Sequence, residues 1–388
     1  MENNRSKTKI NKRINIPNII LYSIFDNEFI LNLLYNNKFN KAISKNEFQL
    51  MVNDKINLLK LYQDNLNPIS TACEKGHDDI VKKLVDSGIS VNKKDKNGNS
   101  PLYIACKNGH ENIVKYLIDH GANLIQYRTL IAACKSQNEF IVQYLIDHGA
   151  DVDMVHKYQN TPLVVCCCYN YENIVECLVE NGADINKYGG EGDTPLHVAC
   201  KKGNLNIVKY LIKCGADINI ESKFIGLTPL MVACQYGNGT VIKYLIDYGA
   251  DVNKQGRTYG TPLWVACDYG NINFVKYLVY NNADVNREDK HGNTPISIAC
   301  KNGYEEIVYF LIECGADINK KNEYNDTPLY IACDGGHENI VKYLVEHGAN
   351  INHKKYNSMT PLAIARKHNY KNIVEYLIQH GAEIDNNI

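Results

Sequence analysis

Residues 194–219 read TPLHVACKKGNLNIVKYLIKCGADIN, and nearly the same string returns at 99–123 as NSPLYIACKNGHENIVKYLIDHGAN and at 326–350 as DTPLYIACDGGHENIVKYLVEHGAN. Recurrence at a fixed spacing marks a repeat architecture. Pro68, Pro101, Pro162, Pro195, Pro229, Pro262, Pro295, Pro328 and Pro361 anchor nine copies, and Thr129 stands in the proline place of one more. About ten units of roughly 33 residues therefore occupy residues 67–388.

Within one copy, Thr-Pro-Leu starts a short helix. The threonine hydroxyl can cap orphan amides, and proline at the first helical position already has the required φ. Gly76, Gly109, Gly203, Gly237, Gly270, Gly303 and Gly336 end that helix, Asn170 and Asn369 substitute in two copies, and Gln137 is the exception. A second helix follows, with apolar residues at helical spacing such as Ile207, Val208, Leu211 and Ile212. It ends at Gly-Ala-Asp, and the polar, glycine-containing residues beyond it read as an exposed finger. The few aliphatic side chains of one copy bury too little to offset the ordering of its backbone, so the copies must stack.

The combined signature of Thr-Pro-Leu, alanine, glycine, Ile-Val and Gly-Ala-Asp resembles the ankyrin repeat family over about four-fifths of the chain. The resemblance implies an all-α repeat solenoid of stacked helix-turn-helix units with hairpin fingers. It also implies binding of other macromolecules, usually proteins, through finger tips and the first helices of a concave face.

Two regions depart from the pattern. LIQYRT at 124–129 replaces an entire finger such as VNKKDKNGNSP at 91–101, so the third unit is expected to lack its finger. Residues 1–66 show none of the anchors; 1–16 read as a flexible basic arm, and the apolar clusters of 17–66 as a helical cap or docking segment.

Catalytic motifs are missing. There is no HExxH, GxxxxGK[ST] or GxSxG, and GGEG at 189–192 lacks the lysine of a phosphate loop. Asp151, Asp184, Asp217, Asp251, Asp284 and Asp317 recur at one helix exit, which points to turn-making. Nine of the fourteen cysteines (Cys73, Cys106, Cys134, Cys167, Cys200, Cys234, Cys267, Cys300 and Cys333) share a single first-helix slot. Stacked copies place equivalent positions about 8–10 Å apart, beyond disulfide reach. Reduced core thiols, and with them an intracellular, cytoplasmic location, are the expectation. Cys-x-x-x-His at Cys73/His77, Cys106/His110 and Cys333/His337 crosses the helix end and has no second pair to complete a metal site. No enzyme activity, cofactor or metal is expected.

Aligning the copies assigns contact positions: the residues before Thr-Pro-Leu, the residue after its leucine, and the pair before the helix-ending glycine. Large aromatics occupy them in the central and later copies: Tyr158, Tyr169, Phe224, Tyr236, Tyr259, Trp264, Tyr269, Tyr324 and Tyr330. Aromatic anchors in polar surroundings suit an interface centre. Forty-two basic residues against forty-three acidic ones argue against nucleic acid as a partner, and no apolar run approaches membrane-spanning length. The leading expectation is a monomeric scaffold or adaptor that binds a protein and takes no small-molecule substrate. The alternatives are a substrate-recruiting adaptor of a ubiquitin-type complex, or a tether to membrane or nucleic acid through Arg5, Lys7, Lys9, Lys12 and Arg13.

Overall fold

The computed structural model describes residues 67–86, 88–124, 127–155, 159–356 and 359–384. The segments 1–16 and 17–66 assigned above lie outside them. Among the described residues there are ten pairs of helices and no strands. The chain is an all-α repeat solenoid. It packs as two compact units, the first comprising residues through Met154 with Glu180–Gly182, and the second Val155–Val179 with Ala183 onward.

The first unit contains the pairs Pro68–Lys75 and Asp78–Asp86, Pro101–Asn108 and Glu111–Asp119, and Tyr127–Ser136 and Glu139–Asp147. The seven pairs that follow run from Pro162–Tyr169 to Lys371–Gln379. In the pair Pro195–Lys202 and Leu205–Lys213, Thr194 accepts from the His197 amide and Gly203 closes the first helix at φ 72°. Gln137, Asn170 and Asn369 adopt the same left-handed conformation, at φ 59°, 60° and 60°. Gln137 therefore follows the rule although its residue type does not favour it.

The core repeats from copy to copy. Leu196, Ala199, Cys200, Ile207, Val208 and Leu211 are no more than 1% exposed. Successive first helices pack along each unit, and each first helix packs on its own second helix. All nine slot-sharing cysteines are buried free thiols. Burial pushes the Cys73 and Cys234 thiols up to about 12 and raises Cys167 and Cys200 as well, so they pack as neutral side chains.

Asparagine fastens one finger to the next. The Asn253 side chain donates to the Asn282 carbonyl at 2.9 Å and accepts from the Asp284 amide at 2.8 Å. Asn286, Asn319 and Asn352 repeat both bonds one copy later each time. The recurring aspartates make the turn: Asp217 accepts from the Asn219 amide and Asp251 from the Asn253 amide, as side-chain-closed turns require. In the first unit Asn92 makes the same pair of bonds, to Gly121 and Asn123. Ile125 and Asp153 hold that slot in the next two copies, and neither carries an amide.

Only residues 120–126 connect Glu111–Asp119 to Tyr127–Ser136, against 181–194 between Glu172–Glu180 and Pro195–Lys202. Where proline is absent, the helix starts two residues before Thr129, which lies inside it and is 1% exposed. Thr129 is therefore a helix-interior residue, and the connection ahead of its helix is half as long as the one ahead of Pro195–Lys202.

Candidate functional site

Eight of the nine aromatic candidates fall in the second unit; Tyr158 lies outside the described residues. Their environments divide by slot. Tyr169, Tyr236 and Tyr269, at the ends of first helices, are 54%, 47% and 45% exposed. Tyr236 lies under the Lys201 ammonium, 5.2 Å from the ring centre. Burial disfavours charge on Lys201, but the Tyr236 hydroxyl, Asp193 and Glu191 outweigh it and hold its pKa above the ordinary lysine range. The Tyr269 hydroxyl accepts from the Gln235 amide at 2.6 Å. Burial, with Tyr259, Asp268 and Tyr236 nearby, raises the Tyr269 pKa against that bond. The three rings are therefore accessible, and Tyr236 and Tyr269 are each met by a polar side chain of the preceding copy.

Phe224 sits at a finger tip, 62% exposed, where a side chain on Gly192 would collide with its ring. Its finger is tied to both neighbours: the Lys223 amide donates to the Gly192 carbonyl at 2.8 Å, and Arg257 Nη1 donates to the Lys223 carbonyl at 3.1 Å. Tyr324 is 54% exposed and stacks on His291, whose Nδ1 pairs with Glu323 at 2.5 Å. Tyr259 is half-buried and meets Trp264 edge to face, 5.7 Å between ring centres.

Trp264 and Tyr330 correct the expectation for their slot. They are 8% and 7% exposed and present no contact surface. The slot after Pro-Leu points beneath the following finger. There His197, fully buried, donates through Nε2 to the Leu227 carbonyl at 2.8 Å, and Met231 is equally buried. Trp264 fills the same space, with its indole N–H buried and unpartnered, and Tyr330 lies 4.9 Å below the Lys355 ammonium. Tyr103 is half-buried in this slot, with the Arg128 guanidinium 4.8 Å from its ring centre.

Selecting aromatics alone passed over the polar groups that meet the exposed rings, Lys201 and Gln235. Lys201 and Gln235 share the slot immediately before the ring-bearing one, so the signal was present in the repeat itself. Cys168 occupies that slot too and is half-buried beside fully buried Cys166 and Cys167, so three adjacent thiols have two environments. Burial raises the Cys168 pKa against the pull of Lys202. Among the described residues no group of three or more His, Cys, Asp or Glu side chains is placed to hold a metal ion, and no helix is long and apolar enough to cross a membrane.

A family model of ankyrin repeats (3 copies) matches residues 23–128, 125–189, 187–256, 253–322 and 317–388. The chain belongs to the ankyrin repeat family. Repeats of this family are generally protein–protein interaction modules, and the family is typically non-enzymatic. The first match begins at residue 23, ahead of the first proline anchor at Pro68. Comparison with curated proteins returns no match to the chain.

Proposed function

We propose that this chain is a non-enzymatic scaffold or adaptor that binds a partner protein on the concave face formed by its fingers and first helices. Tyr236 and Tyr269 are the central anchors. The observation that carries this reading is the pair of accessible rings on adjacent first helices, each held in place by a neighbour's polar side chain. A ring fixed before binding loses little conformational freedom on contact, which is what an interface anchor needs. Tyr169, Phe224, Tyr259 and Tyr324 extend the same face, while Trp264 and Tyr330 support it from below.

Affinity capture with the intact chain and with the Tyr236→Ala/Tyr269→Ala variant tests the reading. Loss of two anchors is expected to weaken the partner about 30-fold or more, at roughly 2 kcal/mol or above. Tyr248→Ala/Tyr280→Ala removes two more exposed rings at the ends of second helices, 59% and 73% exposed, and should leave capture intact. Recovery of the same partner at the same affinity by the first variant would refute the assignment.

A further inference from the structure

His197, Met231, Trp264 and Tyr330 fill the slot beneath the finger in later copies, whereas Pro68–Lys75 carries Ser70 there; Pro295–Asn302 also carries a serine, Ser297, whose hydroxyl donates to the Thr294 carbonyl at 2.8 Å. Beside Ser70 is a cavity of about 380 Å³, lined by Asn67, Pro68, Thr71, Ile104 and the finger residues 93–97. Asn67 and Ser70 line this space, and Ser70 Oγ, which can donate, is buried without a hydrogen-bond partner. Buried polar atoms without partners carry a desolvation cost that a ligand can relieve.

The rim is cationic. Lys93, Lys94 and Lys96 are exposed, and among the described residues none of them has a carboxylate within ion-pair distance. Asp95 is already occupied: one carboxylate oxygen accepts the Asn97 and Asn99 amides at 2.8 Å, and the other accepts the Asn99 side chain. Glu74 is the other acid in the lining. Positive charge continues along the same face at Lys107 and at Arg128, both exposed. The exposed Arg128 guanidinium stacks on Tyr103 at 4.8 Å, and its charge also acts on Asp95; its planar fork suits a carboxylate.

We propose that the finger and first-helix face of the first two helix pairs docks an acidic segment of a partner protein, with one carboxylate side chain entering the cavity beside Ser70 and another meeting Arg128. Charge complementarity selects the occupant: the lysine ammoniums and the Ser70 hydroxyl can donate to carboxylate oxygens, while Pro68 and Ile104 contact the methylene stem. This rests on the reading of the chain as a partner-binding protein, but it uses none of the second unit's aromatic anchors. Its failure therefore leaves the Tyr236/Tyr269 result standing, and the reverse also holds.

The test is fluorescence anisotropy of a labelled decapeptide of alternating Glu and Ala against the full chain. Binding should weaken as salt rises. Lys93→Glu/Lys94→Glu/Lys96→Glu should weaken it about tenfold or more, since it reverses the charges that meet the peptide. Ser70→Met, which imports the later copies' filler, should weaken it about threefold or more by occupying the cavity. Lys82→Glu/Lys83→Glu on the adjacent second helix should leave it unchanged. Circular dichroism of each variant checks folding; if Ser70→Met does not fold, the exposed-lysine variant decides. Absence of peptide binding, equal weakening by the second-helix variant, or an oligothymidine decamer binding as tightly with the same dependence on Lys93, Lys94 and Lys96 would each overturn the proposal.

Discussion

Trp264 and Tyr330 in the second unit occupy the same helical slot as Tyr103 in the first, yet the first two are 8% and 7% exposed while Tyr103 is half-buried under Arg128. The slot is identical in sequence terms and the side chains are of similar size. What differs is the connection to the next first helix: residues 281–294 and 347–360 follow the pairs of Trp264 and Tyr330, and only 120–126 follow the pair of Tyr103. A position in a stacked repeat therefore becomes core or surface according to what the next copy lays over it. The two units also differ in how their fingers are joined. Asparagine links run without interruption from Asn253 to Glu383, whereas in the first unit Asn92 is followed by Ile125 and Asp153.

The largest expected effect separates the covered slot from the open one. Trp264→Ala should destabilise the protein by about 3–5 kcal/mol in urea unfolding, the cost of emptying a large buried site. Tyr103→Ala, at the half-buried one, should cost about 1 kcal/mol or less. Equal losses would mean that finger coverage does not decide burial.

Glycines sharpen the contrast at the helix ends. Gly303 and Gly109 have φ of 78° and 74°, so alanine at either is strained by about 1–2 kcal/mol. At Gly303 a new methyl would also stand 2.5 Å from the His337 ring, which is held to the Lys301 carbonyl at 3.2 Å; at Gly109 it would meet open space. Gly303→Ala should therefore lower the melting temperature further than Gly109→Ala, and identical shifts would remove the steric part of the explanation.

A smaller effect depends on pH and belongs to the second unit. Burial lowers the folded-state pKa of His197 below its ordinary 6.5, outweighing the Leu227 carbonyl and Asp193. The unfolded chain then takes up the proton first, so this stability is present above about pH 6.5 and falls away as pH drops through that value. His197→Met, the residue the next copy carries at Met231, should flatten the pH dependence of the urea midpoint between pH 7 and 5. An unchanged slope would place the titration elsewhere.

Most of the fold was legible because its determinants are local. Proline and glycine punctuation placed the helix ends, and the shared cysteine slot read correctly as core, since both follow from residue type and periodicity within one copy. The errors arose where determinants lie one copy away. Trp264 and Tyr330 looked like surface anchors because periodicity reports which way a side chain leaves its own helix and carries no record of the finger that closes over it. Tyr236 and Tyr269 were recognisable at helix ends, but their orientation by Lys201 and Gln235 required the neighbouring helix to be in place.

The central claim is that the finger and first-helix face of the second unit holds the partner. Hydroxyl-radical footprinting of the full chain, alone and with its captured partner, tests it directly at exposed rings. Protection of Phe224, Tyr236 and Tyr269 with Tyr248 and Tyr280 unchanged is the predicted result. Protection confined to Tyr248 and Tyr280 would contradict it.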